Sequence, residues 1–141
     1  MKVRDRMSDG AVSVTAEESV AVAARIMSRH NVGSLPVRGV GGGLIGIVTD
    51  RDLVIRALAA GEDPATLPVG RVMTAKVASV SPEDSLRRAA GLMAKEQVRR
   101  LPVVEDGKLR GMLSLADLSA GGSDREAASA LTEISRNVIR R

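Results

Sequence analysis

Two short stretches of the sequence place a carboxylate three residues after a hydroxyl, each at the end of a short apolar run. The first combines Thr49 with Asp52, and the second combines Ser114 with Asp117. Ahead of an apolar helical run, this spacing forms a capping box, in which side chains satisfy the free N–H groups of the first turn. The same arrangement suits a nucleotide, because a helix N-terminus attracts phosphate and an ionised Asp accepts hydrogen bonds from a ribose diol. The two interpretations are compatible.

Both motifs follow the second strand of a predicted hairpin and open a predicted helix. In the first half, the patterns predict a strand over 11–14, a helix from Thr15 to His30, strands over 32–37 and 44–48 around a glycine-rich turn, and a helix over 50–60. In the second half, the chain repeats this order, with a helix opened by residues 81–84 and strands over 98–104 and 109–113. The motifs therefore occupy equivalent positions in two similar units.

The two halves are an internal repeat in register. The same interval separates Met7 from Met73, Met27 from Met93, and Pro36 from Pro102. A single position is lost in the hairpin loop, so a slightly shorter interval separates Gly46 from Gly111 and Asp52 from Asp117. An internal repeat decides architecture more reliably than a single motif. Two β-α-β-β-α units of this size should pack face to face around a pseudo-twofold axis, with a cleft between them. We expect a first repeat at 3–61, a linker at 62–68 and a second repeat at 69–120.

Composition excludes several classes of protein. The chain has 141 residues, 44% hydrophobic and 27% charged, with no Phe, Trp, Tyr or Cys and a single histidine, His30. Disulfides and thiolate metal sites are therefore excluded, and a His-based zinc site within one chain is not expected. A net charge of +4 favours an anionic partner. No apolar run approaches the roughly 20 residues that span a bilayer, so we expect a cytoplasmic protein without a membrane partner.

Over residues 3 to 120 the sequence resembles a tandem pair of cystathionine β-synthase (CBS) domains, called a Bateman module. The resemblance rests on the segments 35–37 and 101–103, each Leu-Pro-Val, together with the repeated motifs 46–52 and 111–117. It implies an α+β fold in which two pseudo-symmetric β-α-β-β-α repeats join through their sheets. It also implies a homodimer that binds adenine nucleotides or other adenosyl compounds in the cleft between the repeats.

Carried over residue by residue, the resemblance implies two binding sites that each draw on both repeats. Site one would combine the motif side chains Thr49, Arg51 and Asp52 with residues of the other repeat and its preceding segment, namely Lys76, Val77, Val98, Arg99, Arg100 and Pro102. Site two would combine Ser114 and Asp117 with Ala11, Val12, Val32, Gly33, Ser34 and Pro36. Site one would prefer ligands that carry phosphate, because Gly33 and Ser34 replace its arginines in the other site.

After a Gly-rich linker, residues 123–139 are predicted to form a C-terminal helix. An apolar stripe of Ala127, Leu131, Ile134 and Val138 must pack on another surface, and we favour packing within the dimer.

The sequence thus predicts a non-catalytic sensor or regulator that binds AMP, ADP, ATP or another adenosyl compound, requires no cofactor and acts through an unidentified partner protein. No nucleophile beside a base and no metal site with an open position is evident, so an enzyme is not expected. One alternative is an interaction scaffold in which both motifs serve only as caps. A second is a nucleic-acid-binding protein driven by the basic surface, which is less favoured because no aromatic side chains exist to stack on bases.

Overall fold

A computed structural model describes residues 1–120 of the chain. The predicted helix over 123–139 lies outside the described residues. The strands are β1 Ser8–Asp9, β2 Val14–Thr15, β3 Ser34–Arg38, β4 Leu44–Thr49, β5 Arg100–Glu105 and β6 Lys108–Ser114. The helices are α1 Val20–His30, α2 Asp50–Asp52, a π-helix Leu53–Leu58, α3 Leu86–Glu96 and α4 Leu115–Ala120, with short 3-10 turns at Val3–Asp5, Val40–Gly42 and Val69–Arg71.

The chain divides into two compact units of mixed α+β structure. The first-repeat unit comprises Val12–Val77, and, among the described residues, the second-repeat unit comprises Met1–Ala11 together with residues 78–120. In the first-repeat unit the sheet order is β2-β3-β4, with β2 and β3 parallel and β3 and β4 antiparallel. In the second-repeat unit the order is β1-β6-β5, with both pairs antiparallel. Each sheet is therefore built on one of the predicted hairpins.

The opening segment of each sequence repeat belongs to the unit built on the other repeat. In the second-repeat unit, Val3 is fully buried among residues of α3 and β5, and its amide donates to the carbonyl of Asp84. In the first-repeat unit, Val69 is buried in the same way, and its amide donates to the carbonyl of Glu18. The compact units thus have different boundaries from the predicted repeats at 3–61 and 69–120.

The two cores are aliphatic, as a chain without aromatic residues requires. Helix α1 buries Val20, Ala23 and Met27, and α3 buries the corresponding row that ends at Met93. These positions recur at helical spacing, so each helix lays one apolar face on its own sheet. Asn31, directly after α1, adopts the left-handed conformation and donates its amide to the carbonyl of Met27. The predicted end of this helix near His30 is confirmed.

The predicted starts of α1 and α3 were wrong by several residues. The pattern at 15–18 suggested a capping box, but the Ncap of α1 is Ser19, whose hydroxyl accepts from the Val22 amide at 3.2 Å. Ser85 caps α3 in the same way at the Arg88 amide. The patterns at 15–18 and 81–84, which precede the two caps, close turns instead. In the first of these turns, the Glu18 carboxylate accepts from the Thr15 amide at 2.9 Å.

The helix after the first motif differs from the regular helix predicted over 50–60. Only the first three residues are α-helical, and Leu53–Leu58 form a π-helix, in which the Ala59 amide donates to the carbonyl of Val54. Gly61 adopts a φ of 72° just beyond it, where a helix stop was predicted. None of the described helices is long and apolar enough to cross a membrane.

Candidate functional site

The first motif forms a complete capping box at the end of β4. The Asp52 amide donates to Thr49 Oγ1 at 3.1 Å, and the Thr49 amide donates to Asp52 Oδ2 at 3.0 Å. Asp52 is only 9% exposed, and it is the one charged residue that is buried among residues 1–120. Among residues 1–120, its second oxygen, Oδ1, receives no hydrogen bond and has Arg56 Nη1 at 3.9 Å. The cap therefore occupies one carboxylate oxygen and leaves the other for a further donor.

The second motif repeats this geometry at the end of β6. The Asp117 amide donates to Ser114 Oγ at 3.2 Å, and the Ser114 amide donates to Asp117 Oδ2 at 2.8 Å. Both side chains are half-buried. The structural interpretation of both motifs as capping boxes is thus confirmed. Because each cap engages one carboxylate oxygen, the caps do not exclude a ligand at the other.

Within the first-repeat unit, the motif lies beside the start of β3. Ser34 is the sheet partner of Thr49, and the amide of Asp50 donates to the carbonyl of Gly33 at 2.9 Å. A Cβ on Gly33 would lie 3.1 Å from Asp50 Oδ2, so the absence of a side chain makes room for this carboxylate. The structure brings Thr49 and Asp52 together with Gly33 and Ser34, which the sequence analysis had assigned to the other site.

Within the second-repeat unit, the strand residues beside the motif are positively charged. Arg100 is the sheet partner of Ser114, and the amide of Leu115 donates to the carbonyl of Arg99 at 2.8 Å. Both arginine side chains are exposed, and Leu115 stands where the first-repeat unit has Asp50. Asp50, which lies beside a glycine in the first-repeat unit, is thus replaced by Leu115 beside two arginines.

The remaining predicted site residues have the following environments. Lys76 is exposed and Val77 half-buried, shortly after Thr74, which pairs with Ile47 of β4. Val12 and Arg51 are exposed, and Ala11 is half-buried. Val32 and Val98 are half-buried just before β3 and β5, and Pro36 and Pro102 are buried within those strands. The predicted grouping of residues from different repeats into single sites stays a prediction.

Sequence reasoning missed why each motif strand carries a glycine three residues before its hydroxyl. A Cβ on Gly46 would lie 2.7 Å from Met73 Sδ and 2.8 Å from the carbonyl oxygen of Thr74. A Cβ on Gly111 would lie 2.0 Å from the carbonyl oxygen of Ser8. Each glycine thus lets the opening segment of the other repeat lie against the strand that leads into the motif. The recurrence of glycine in both copies was the available signal.

Comparison with known sequences identifies the family. The CBS domain family matches the chain twice, at residues 3–58 and 69–121. This chain belongs to the CBS-domain family. As a CBS-domain pair it is 41% identical over 140 residues to the CBS domain-containing protein YhcV of Bacillus subtilis, covering 97% of each chain. It is 37% identical over 116 residues to hypoxic response protein 1 of Mycobacterium tuberculosis, covering 82% of this chain and 81% of that one.

Solved structures of CBS-domain pairs share this fold. The crystal structure of hypoxic response protein I with two coordinated zinc ions matches at a TM-score of 0.79 and 36% identity, covering 85% of this chain and 98% of that one. The CBS domain pair of protein MJ0100, solved with 5-methylthioadenosine and S-adenosyl-L-methionine, matches at a TM-score of 0.75 and 26% identity, covering 89% and 98%. In this chain, the described residues contain no cluster of three potential His, Cys, Asp or Glu metal ligands.

Proposed function

We propose that this CBS-domain pair is a non-catalytic regulatory module that binds an adenine nucleotide or another adenosyl compound. Asp52 carries the proposal. Its Oδ2 is held by the Thr49 amide, so its position is fixed, and its Oδ1 remains available to accept from a ribose hydroxyl. A fixed, largely buried carboxylate is preorganised for such a bond, and charge-assisted hydrogen bonds are stronger than neutral ones. Asp117 would serve a second ribose in the same way.

The ligands bound by the MJ0100 pair support this chemistry. The two compounds differ in the group attached to the 5′ position but share adenine and a ribose diol. The ribose diol, which both compounds contain, is the group that a carboxylate at the end of a strand can recognise. We propose that Asp52 and Asp117 read the ribose, and that the sequence-predicted neighbours of each motif surround the base and the 5′ substituent.

The charged groups support a difference between the two binding positions. We propose, as the sequence predicts, that Lys76, Arg99 and Arg100 bind phosphate in the site that contains Thr49 and Asp52. All three side chains are exposed, and none forms an ion pair with another described residue. A ligand phosphate would supply the missing anion. AMP, ADP and ATP are then preferred over uncharged nucleosides at this site.

Titration calorimetry with adenosine, AMP, ATP and S-adenosylmethionine tests the proposal, using Asp52→Asn and Asp84→Asn. Asparagine keeps an oxygen that can accept from the Thr49 amide but loses the charge, so the cap persists while ribose binding weakens. Asp84 is the matched control, because its Oδ2 accepts from the Ser81 amide at 2.8 Å in a turn with the same spacing. Loss of one charge-assisted bond should lower the affinity of Asp52→Asn by roughly 10- to 100-fold.

The control should bind as the unsubstituted chain does. If no compound binds the unsubstituted protein, the motifs are caps alone and the scaffold alternative replaces the sensor. If binding falls steeply with salt and is indifferent to Asp52, a polyanion such as nucleic acid is the ligand instead.

We also propose that the module is a homodimer whose ligand state is read by a partner protein. The π-helix exposes Val54, Ile55 and Leu58 at 51%, 52% and 74%. Val54 and Leu58 border an apolar groove of about 190 Å³ lined in part by Ala21 and Ala24. An exposed apolar patch of this kind is typical of an interface, and we propose that it forms part of the dimer interface. A cytoplasmic location stays a prediction, as does the absence of a membrane partner.

A further inference from the structure

Arg56 joins the first motif to a distant stretch of the same unit. Its Nη1 lies 3.9 Å from Asp52 Oδ1, on the preceding turn of the helix. The same nitrogen donates to the carbonyl oxygen of Val72 at 3.0 Å and to that of Met73 at 3.2 Å. One guanidinium group thus contacts the carboxylate of the cap and two backbone carbonyls from a later part of the chain.

The two carbonyls are at the end of a short helical turn. Val72 and Met73 donate their own amides to the carbonyl of Val69, which closes the turn Val69–Arg71. Carbonyls at the end of a helical turn lack intrahelical donors and carry partial negative charge. A guanidinium group is therefore a favourable partner for them, and it satisfies both with one side chain.

The next residue, Thr74, attaches this segment to the strand that leads into the motif. Its amide donates to the carbonyl of Ile47 at 2.8 Å, and the Ile47 amide donates to the Thr74 carbonyl at 2.9 Å. The segment is thus held by Arg56 on one side and by β4 on the other. Lys76 and Val77, both predicted to contact the ligand, follow shortly along the chain.

We infer that Arg56 is a positioning residue that holds the Asp52 carboxylate and the segment from Val72 to Thr74 as one unit, so that a ligand on Asp52 is sensed at that segment. The inference rests on the proposed ligand role of Asp52. Asp52 Oδ1 is both the oxygen available to a ribose and the one that faces Arg56. A ribose hydroxyl on Oδ1 changes the attraction between Asp52 and Arg56, and the same guanidinium transmits this change to the carbonyls.

The second repeat has no arginine at the equivalent position of its sequence. The interval that relates Asp52 to Asp117 also relates Arg56 to Gly121, and glycine has no side chain that could contact Asp117. Occupancy of the two motifs therefore has unequal consequences, because an arginine at this position can report on the first motif alone.

Arg56→Gln, Arg56→Lys and Arg88→Gln separate positioning from simple loss of charge. Arg88 is the matched control, because its Nε lies 3.5 Å from Asp84 Oδ2 across the same four-residue spacing, and Asp84 also accepts from a turn amide. The control removes the same charge from an equivalent ion pair. Lysine keeps the charge and can reach one carbonyl, so it should restore part of the effect.

The first measurement is amide hydrogen exchange by NMR on the protein without added ligand. In Arg56→Gln, the amides of Thr74 and Ile47 should exchange about tenfold faster than in the unsubstituted chain, since loss of one hydrogen bond to a charged donor corresponds to roughly that factor. Arg56→Lys should fall between the two, and Arg88→Gln should match the unsubstituted chain at these amides. Unchanged exchange of Thr74 in Arg56→Gln would overturn the positioning role.

The second measurement adds AMP or S-adenosylmethionine and follows the same amides. In the unsubstituted chain, a bound compound should shift the Thr74 resonance and change its exchange. In Arg56→Gln this response should be lost and the affinity lowered about tenfold. If a compound binds without any response at Thr74, the coupling is refuted while the proposed function stands. If neither compound binds, the proposed function and the coupling both fail, and the exchange measured without ligand still decides whether Arg56 holds the segment.

Discussion

Replacing Gly111 by alanine should destabilise the second-repeat unit strongly. The added methyl carbon would lie 2.0 Å from the carbonyl oxygen of Ser8, whereas ordinary contact begins at 3.4 Å, so Ser8 must retreat by the difference between these distances. The neighbouring atom is backbone and cannot swing aside as a side chain can. Strand β1 pairs with β6 over only two residues, and a retreat of this size breaks that pairing.

Two contributions set the size of the stability loss in Gly111→Ala. Forcing a methyl group into a packed site costs about 1–3 kcal/mol, and each lost backbone hydrogen bond costs about 1 kcal/mol. With one or two bonds of β1 lost, we expect the free energy of unfolding to fall by about 2–5 kcal/mol. The methyl of Met7, 2.9 Å from the new carbon, can move away and adds little.

Gly91→Ala is the matched control, and its expected change in the free energy of unfolding has the opposite sign. Gly91 is exposed within α3, and a Cβ there meets no atom within 4 Å. Alanine in a helix interior is favoured over glycine by about 0.5–1 kcal/mol, so this variant should be more stable than the unsubstituted chain. Urea unfolding followed by far-ultraviolet circular dichroism measures both, because the chain has no Trp or Tyr for fluorescence. A Gly111→Ala variant as stable as the unsubstituted protein would refute the close approach of Ser8 to β6.

Other substitutions test the core, the caps and the proposed interface. Met93→Ala should cost about 2–5 kcal/mol, because the side chain is fully buried, and urea unfolding reports it. Ser85→Ala should cost about 1 kcal/mol through loss of the α3 cap, whereas Ser85→Gly should cost only a few tenths, and the same unfolding measurement compares them. Leu58→Asp should halve the mass measured by analytical ultracentrifugation, and an unchanged mass would remove the π-helix from the proposed dimer interface.

The sequence predicted the elements whose causes are local. Apolar spacing from Val20 to Met27 located a helix, and the Leu-Pro-Val segments located the first strand of each hairpin. The capping boxes at Thr49 and Ser114 were also predicted, because both partners of each bond lie within four residues. Repetition of the pattern then supplied the fold class, which the matches to CBS-domain pairs confirm.

What the sequence did not reveal depends on contacts between distant segments. Nothing local to Val3 or Val69 indicates that each packs in the unit of the other repeat, since either core would accept a buried valine. The pattern at 15–18 can close a turn or begin a helix, and the hydroxyl of Ser19 decides between them. The bond from Arg56 to the Val72 carbonyl crosses 16 positions and could be located only from the structure.

Equilibrium dialysis of the protein against adenosine, AMP, ATP and S-adenosylmethionine, read by ultraviolet absorption, tests the central claim most directly. Because the chain contains no Trp, Tyr, Phe or Cys, excess absorption in the adenine band on the protein side measures bound ligand with little background. The account predicts saturable excess absorption for at least one compound, strongly reduced in Asp52→Asn and retained in Asp84→Asn. Equal absorption on both sides for every compound at millimolar concentration, or binding that Asp52→Asn leaves intact, would contradict it.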